Sequence, residues 1–293
     1  MNRRQPVKTW STPVTDEEER RPVPCALCGG GRFKPSLSCE GFSYVRCAAC
    51  GLVQMNPQPA PADVQRRYAR SFGGDYLAYE LQNEAAFLEL QKLALADAGF
   101  DRIERELMAR NGGAPAVLDV GCATGALLAF LRGRGWRTTG AEISPSADYA
   151  RERRGLDVRR QSLEDCRLPP ETFDLALASH LIEHLNDPAA FFREVWRVLR
   201  PGACLLLTTP NIGGFQARLT GGRWRSAIFD HLYLFSKRTA AAILKANGFR
   251  VEGVYTWGGL AAGTAPAPIK AFADRAAKAL GVGDVMLVKA RKL

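Results

Sequence analysis

Between residues 116 and 136 the chain reads AVLDVGCATGALLAFLRGRGW, and no other stretch narrows the fold as much. Val117, Leu118 and Val120 make a short apolar run of the kind that forms a buried strand. Gly121 and Gly125 then bracket a sharp turn, after which Leu127, Leu128, Phe130 and Leu131 recur at helical spacing. Strand, glycine turn and amphipathic helix in that order open an α/β domain with a mostly parallel sheet. The turn leaves backbone N–H groups free at the helix N-terminus, and glycine lets a ligand come close to them. In TTGAEIS, a second strand ends on Glu142, 21 residues after Gly121, where a carboxylate suits ribose hydroxyls. A cofactor with an adenosine half is expected.

The spacing of the small residues narrows the cofactor further. A dinucleotide site uses G-x-G-x-x-G, whereas Gly121, Ala123 and Gly125 give G-x-A-x-G. Asp119, just before the turn, would repel a pyrophosphate and attract an ammonium group. S-adenosylmethionine therefore fits better than NAD. VLDVGCATG resembles the first motif of the class I S-adenosylmethionine-dependent methyltransferases. The resemblance covers roughly residues 114 to 293 and implies a Rossmann-like fold, a seven-stranded mostly parallel sheet with flanking helices. It also implies that Asp119, Gly121, Cys122, Ala123 and Gly125 line the methionine portion, and that Glu142, with Ile143 beside it, holds the ribose. In the family, an acid and a small apolar residue after the third strand hold the adenine. Ser162 and Leu163 stand at those positions here, which leaves Glu164, Asp165 or a backbone group to take the contact.

The remaining motifs keep the family's order. FDLALAS, ending at Ser179, reads as the fourth strand, and Ser179 completes the expected cofactor set. Asp187 and Pro188 should cap and start a helix whose apolar face is Phe191, Phe192, Val195, Trp196 and Leu199, with Pro201 and Gly202 ending it. The fifth strand is ACLLLTTP. Between strand and helix lies HLIEH, which spells a zinc-peptidase pattern, but its place at the carboxyl edge of a sheet points instead to a ligand site. Ubiquinone-pathway O-methyltransferases carry a similar Glu-His pair, in some associated with a divalent metal, and His180 replaces their first glutamate. His180, Glu183 and His184 thus leave three readings open: a second metal site, a base, or a pocket wall.

A long segment, PNIGGFQARLTGGRWRSAIFDHLYLFSKRT, follows the fifth strand. Residues 210–236 are expected to cover the substrate, with Arg218, Arg223 and Arg225 available to anions and Trp224 to an apolar surface. His231 is the first candidate for general base, ahead of His184 and His180, because a histidine near its ordinary pKa can take a hydroxyl proton. Ser236 should cap the next helix, ended by Gly248. The strand FRVEGVYTW, the helix PAPIKAFADRAAKAL and the strand GDVMLVKARK finish the domain.

Cysteine usage identifies a second unit. Of eight cysteines, Cys122, Cys166 and Cys204 are scattered, while CALCG and CAACG pair Cys25 with Cys28 and Cys47 with Cys50, eighteen residues apart. Each C-x-x-C followed by glycine aims two thiolates at one ion, so a closed, structural four-cysteine zinc site is expected. Cys39 is read as a free thiol. The expected organisation is a flexible tail (1–22), a zinc ribbon (23–57), a helical cap or linker (58–112) and the methyltransferase domain (113–293). Asp63 is a candidate helix cap, breaks fall near Gly73, Gly74 and Gly99, and Tyr68, Phe72 and Tyr76 share a face. The ribbon's role is open between a structural lid, a contact within a homodimer and a substrate clamp.

Charge and hydropathy bound the partners. A net charge of +10 favours an anionic partner, RNA among them, yet the ribbon is not strongly basic and basic residues do not interleave with aromatics. No apolar run approaches the roughly 18 residues of a membrane span, and the N-terminus lacks a secretory core, so a cytoplasmic location is expected. The leading expectation is methyl transfer to oxygen or carbon of a small biosynthetic acceptor. RNA methylation and cofactor binding without transfer are the rivals.

Overall fold

The structure, a computed structural model, describes residues 18–69, 73–111, 113–260 and 266–293. It begins with β1 (Arg20–Arg21), β2 (Phe33–Cys39), β3 (Phe42–Cys47), β4 (Val53–Met55) and β5 (Gln58–Pro59). Helices α1 (Pro61–Ala69), α2 (Gly73–Asp97) and α3 (Phe100–Asn111) follow. The α/β part then runs β6 (Ala116–Val120), α4 (Ala126–Gly133), β7 (Arg137–Ala141), α5 (Ser146–Arg154), β8 (Asp157–Arg159), β9 (Phe173–Ser179), α6 (Pro188–Val198) and β10 (Leu199–Pro210). It closes with α7 (Phe215–Thr220), β11 (Tyr233–Leu234), α8 (Lys237–Ala246), β12 (Phe249–Trp257), α9 (Ala267–Ala279) and β13 (Val285–Lys292).

Seven strands form the main sheet in the order β12-β13-β10-β9-β6-β7-β8, with β13 antiparallel to both of its neighbours. This is the Rossmann-like sheet expected from the sequence. Alternation along the strands divides the core between two faces. Val117, Leu175, Leu177 and Leu206 pack with Leu95, Phe100 and Ile103 of α2 and α3, and Leu118, Ala176, Leu205 and Leu207 pack with Phe192, Val195 and Leu244 of α6 and α8. Each fully buried Leu or Val contributes roughly 1.5–3 kcal/mol, which is why the sheet needs both helical layers. Segment 58–112, expected as a cap or linker, therefore supplies one wall of this core.

The cysteine-rich unit is stitched to the domain. Its four-stranded sheet has the order β11-β4-β3-β2, so β11 comes from the long segment after β10. Tyr44, Leu52, Val53 and Met55 share one apolar cluster with Phe229, Leu232 and Tyr233. A ribbon too short to bury a core of its own borrows one.

Local signals behave as their chemistry dictates. Asp187 accepts from the Ala190 amide with Pro188 next in line, and Ser236 forms a capping box with Thr239. Other expectations are corrected. Residues 20–21, assigned to a flexible tail, pair antiparallel with Gln58 and Pro59, because Glu18 and Asp230 both ion-pair with the buried Arg67 and hold this stretch in place; residues 1–17 lie outside the described part. Asp63 sits inside the first turn of α1, which starts at Pro61, rather than capping it. α6 stops at Val198, and Leu199, Pro201 and Gly202 already belong to β10. Phe72 lies outside the described residues, as do 70 and 71, so the aromatic face is seen only at Tyr68 and Tyr76. Among the described residues no helix is long and apolar enough to cross a membrane.

Candidate active site

Two turns at the carboxyl edge of the sheet face each other. The first is the glycine turn after β6. Gly121 and Gly125 have φ of 73° and 76°, and a Cβ on Gly125 would lie 2.6 Å from Leu156 Cδ1 and 3.1 Å from the Ala150 Cβ, so the turn admits no larger residue there. Glu142 holds the turn in shape: its two oxygens accept from the amides of Ala123 at 3.1 Å and Ser144 at 2.8 Å. A carboxylate has further lone pairs, so Glu142 can still accept from a diol. Asp119 is 2% exposed and receives no side-chain hydrogen bond among the described residues; burial, then the charge of Glu142, pushes it up to about 8. An unpartnered buried carboxyl beside a second one favours a cationic ligand. Cys122 is buried and Ile143 half-buried on the same turns.

The second turn follows β9. A Cβ on Gly121 would lie 3.3 Å from Leu181 Cδ1, so the two turns are in contact. Ser179 pairs with Thr208 of β10, and His180 takes a left-handed backbone, φ 52°. Glu183 is fully buried in the short helical turn Ile182–His184. Its carboxylate accepts from the Thr209 hydroxyl at 2.9 Å and from His180 Nδ1 at 3.2 Å. Burial alone would raise its pKa, but the bond to His180 and the neighbouring histidines outweigh it and hold Glu183 below the usual carboxylate range.

His231 reaches this turn from the segment before β11. Its ring packs edge-on against His184, centroids 4.7 Å apart. Nδ1 lies 2.8 Å from the Ser226 carbonyl, which can only accept, so Nδ1 carries the proton and Nε2 the lone pair. Burial first, and then His184, lowers its pKa to about 4, leaving the imidazole neutral at physiological pH. His184 Nδ1 likewise sits 2.9 Å from the Asp230 carbonyl and 2.8 Å from the Tyr68 hydroxyl. One ligand atom each from Glu183, His184 and His231 fall within 4.8 Å of one another. The sequence grouped His180, not His231, with Glu183 and His184. The structure keeps His180 Nδ1 on Glu183 with the rest of its side chain at the rim, 47% exposed, and adds His231 to the group.

The ribbon positions His231. Met55 donates its amide to the Leu232 carbonyl at 2.8 Å, Leu232 donates to the Glu183 carbonyl at 2.7 Å, and the buried Tyr44 hydroxyl lies 2.8 Å from the carbonyls of both Ile228 and His231. These contacts are long-range and left no mark in the local sequence. Tyr44→Phe is expected to lower stability by about 1–2 kcal/mol and to reduce turnover, since two buried carbonyls lose their donor; a thermal melt and a rate measurement check both. In the ribbon, Cys25 and Cys50 Sγ are 3.4 Å apart and Cys28 and Cys47 Sγ 3.5 Å. A Zn–S bond of about 2.3 Å implies sulfurs roughly 3.8 Å apart, so the four thiols fit a tetrahedral ion. Burial opposes ionisation of Cys47, but the amides of Cys50 and Ala49 and the adjoining thiols bring it down to about 6. Gly29 and Gly51, one after each knuckle, both have positive φ.

Two expectations at the rim differ. Trp224, expected to offer its ring, is buried and donates its indole N–H to Asp284, which also binds Arg225; Arg218 and Arg223 remain exposed. The segment 210–236 is not an open loop, because α7 and β11 lie within it. Ser162 donates to Asp165 at 2.7 Å, Leu163 is buried and Glu164 exposed, so neither acid is aimed inward by a local bond. Cys39 contacts the Gly222 carbonyl at 3.6 Å.

A family described as a methyltransferase domain matches residues 85–254. The chain is 30% identical over 152 residues to a ubiquinone biosynthesis O-methyltransferase of Xylella fastidiosa, covering 47% of this chain and 62% of that one. It is 32% identical over 111 residues to a malonyl acyl-carrier-protein O-methyltransferase of Serratia marcescens, covering 37% and 43%. The match spans about half the length of such curated relatives. Among solved structures, a Burkholderia thailandensis 1,6-didemethyltoxoflavin-N1-methyltransferase with bound S-adenosylhomocysteine has a TM-score of 0.50 at 17% identity, over 88% of this chain and 99% of that one. An Archaeoglobus fulgidus S-adenosylmethionine-dependent methyltransferase also has a TM-score of 0.50, at 19% identity, over 73% and 99%. At these identities the likeness is one of fold.

Proposed function

The chain belongs to the S-adenosylmethionine-dependent methyltransferases, and we propose that it methylates an oxygen or carbon atom of a small biosynthetic acceptor, with His231 as the base and a structural zinc ion on Cys25, Cys28, Cys47 and Cys50. The observation that carries the reading is the contact of the two turns through Gly121 and Leu181, which sets the glycine turn and Glu142 beside the Glu183–His184–His231 group. S-adenosylmethionine, when bound, supplies a methyl group on a sulfonium leaving group. The protein's part is to bind, to exclude water and to take a proton. Asp119 and Glu142 receive the ammonium and ribose ends. Neutral His231 presents Nε2 and Glu183 stabilises the imidazolium that forms. A pKa near 4 marks a weak base, yet it suffices, because a hydroxyl oxygen that has gained a methyl group is a far stronger acid than imidazolium.

His231→Ala is expected to lower turnover about 100-fold while cofactor affinity changes less than about threefold. At saturating cofactor the wild-type turnover should stay flat above about pH 5 and fall as His231 protonates toward 4, and the variant should lose that acid limb. Wild-type turnover in the variant would remove the base role. Incubation of the purified protein with methyl-labelled S-adenosylmethionine and a fractionated host extract tests the acceptor class. Label in small molecules is the expected result; nuclease-sensitive label in RNA would overturn it in favour of RNA methylation, and cofactor binding with no label in any fraction would favour a non-catalytic role. One specific observation favours a metal-assisted variant of the same reaction: Glu183, His184 and His231 have the ligand types of a divalent-cation site. A second metal equivalent, beyond the one expected on the cysteines, would support it.

A further inference from the structure

Helix α2 brings two acidic side chains to the glycine turn and to the start of α5. Glu80 is buried, and its carboxylate accepts from the Ser146 hydroxyl at the start of α5, four residues past Glu142. One turn further along α2, Glu84 accepts from the Thr124 hydroxyl within the glycine turn. Arg154, the cation on this wall, is taken up by both oxygens of Glu84 at 2.6 Å, so its charge is spent there and not on Glu80. Glu80 faces Tyr76 and Glu84 on its own helix, Glu142 after β7 and Ser146 on α5. Glu142 accepts from the Ala123 and Ser144 amides and Glu80 from the Ser146 hydroxyl two residues on, while Asp119 stands two residues before Gly121, so the three carboxyls adjoin the same turns. Of the three, Asp119 is 2% exposed and has no hydrogen-bond partner among the described residues, so the cluster presents an unmet demand for positive charge.

We propose that Glu80 is a cofactor-binding residue, and that Glu80, Asp119 and Glu142 form a three-carboxylate wall selecting the cationic cofactor over its neutral thioether product. The inference rests on the cofactor reading above and deepens it. S-adenosylmethionine and S-adenosylhomocysteine share the ribose and the ammonium group and differ by a methyl and one positive charge at sulfur. A wall of carboxylates in a water-poor site distinguishes that charge. It also favours release of product, since the wall's counter-charge disappears when the methyl leaves.

Proton linkage gives the wall a signature. Burial raises Glu80 to about 7, with Glu142 adding to the rise and the Ser146 bond opposing it, and Asp119 is raised to about 8. A cation favours the ionised forms, so below about pH 8 its binding must expel protons, and its advantage over a neutral ligand grows with pH. The sulfonium charge lowers the ammonium pKa of S-adenosylmethionine, so the pH dependence of the affinity ratio is read against that of the Glu80→Gln variant, in which the ligands' own titration is the same.

Calorimetric titration with S-adenosylmethionine and S-adenosylhomocysteine at pH 6.5 and 8.5 tests this. For the wild type we expect about a tenfold preference for S-adenosylmethionine at pH 8.5, shrinking toward parity at pH 6.5. Glu80→Gln is expected to bring the ratio to about 1–2 at both pH values with S-adenosylhomocysteine affinity nearly kept, and Asp119→Asn to shift it in the same direction. Equal loss of both ligands in Glu80→Gln would make Glu80 a packing residue and overturn the proposal, as would a ratio that neither variant nor pH moves. Wild-type protein that binds neither ligand would overturn the cofactor reading itself.

Discussion

Gly121→Arg is expected to abolish cofactor binding, with calorimetric affinity for S-adenosylhomocysteine falling more than about 100-fold while the circular dichroism spectrum is unchanged. Two effects act together. The residue has φ of 73°, a region that costs a side-chain-bearing residue roughly 1–2 kcal/mol. Any Cβ there already meets Leu181 Cδ1 at 3.3 Å, so the long arginine side chain must leave in the direction a ligand enters. It would also place a guanidinium beside Asp119 and Glu142, satisfying the carboxyls proposed to hold the ligand. Unchanged affinity would remove the cofactor from this site.

Cys25→Ser is expected to take bound zinc from one equivalent per chain toward zero, to lower the melting temperature by about 10 °C and to depress turnover. Cys25 is buried with its Sγ 3.4 Å from that of Cys50, so the loss leaves three thiols around a site shaped for four. A structural zinc contributes far more than the roughly 4 kcal/mol needed for such a shift, and part of it survives in the ribbon's apolar contacts. Turnover should fall because the ribbon holds the His231 segment through Tyr44 and Met55, whereas affinity for S-adenosylhomocysteine should change little, because Glu142 and the glycine turn have no hydrogen bond to the ribbon among the described residues. Metal analysis, a thermal melt and calorimetry check the three parts. Full turnover in a zinc-free variant would deny the ribbon this positioning role.

Much of this was legible locally. VLDVGCATG identified the first strand, the turn and the helix because a buried strand and a positive-φ turn each demand particular residue types within a few positions. The cap at Asp187 and the box at Ser236 were equally local, each a side chain bonding an amide three residues on. Trp224 was misread for the opposite reason: an aromatic residue between two arginines looks like a ligand surface, and only the distant Asp284 shows that its indole is a buried donor. Nothing near Glu80 marks it as more than one acid on a long helix.

The sequence by itself determined the order of strands and helices, the glycine turn with its acidic partners and the two cysteine knuckles, since each depends on chemistry within a short stretch. Only the tertiary structure decided that His231 joins Glu183 and His184, that β11 makes the ribbon part of the domain, and that α2 brings Glu80 to Ser146 beside the glycine turn. Those decisions rest on pairings far apart in the chain, His184 with His231, Gln54 with Tyr233 and Glu80 with Ser146, and they become visible only once the two faces of the sheet are packed.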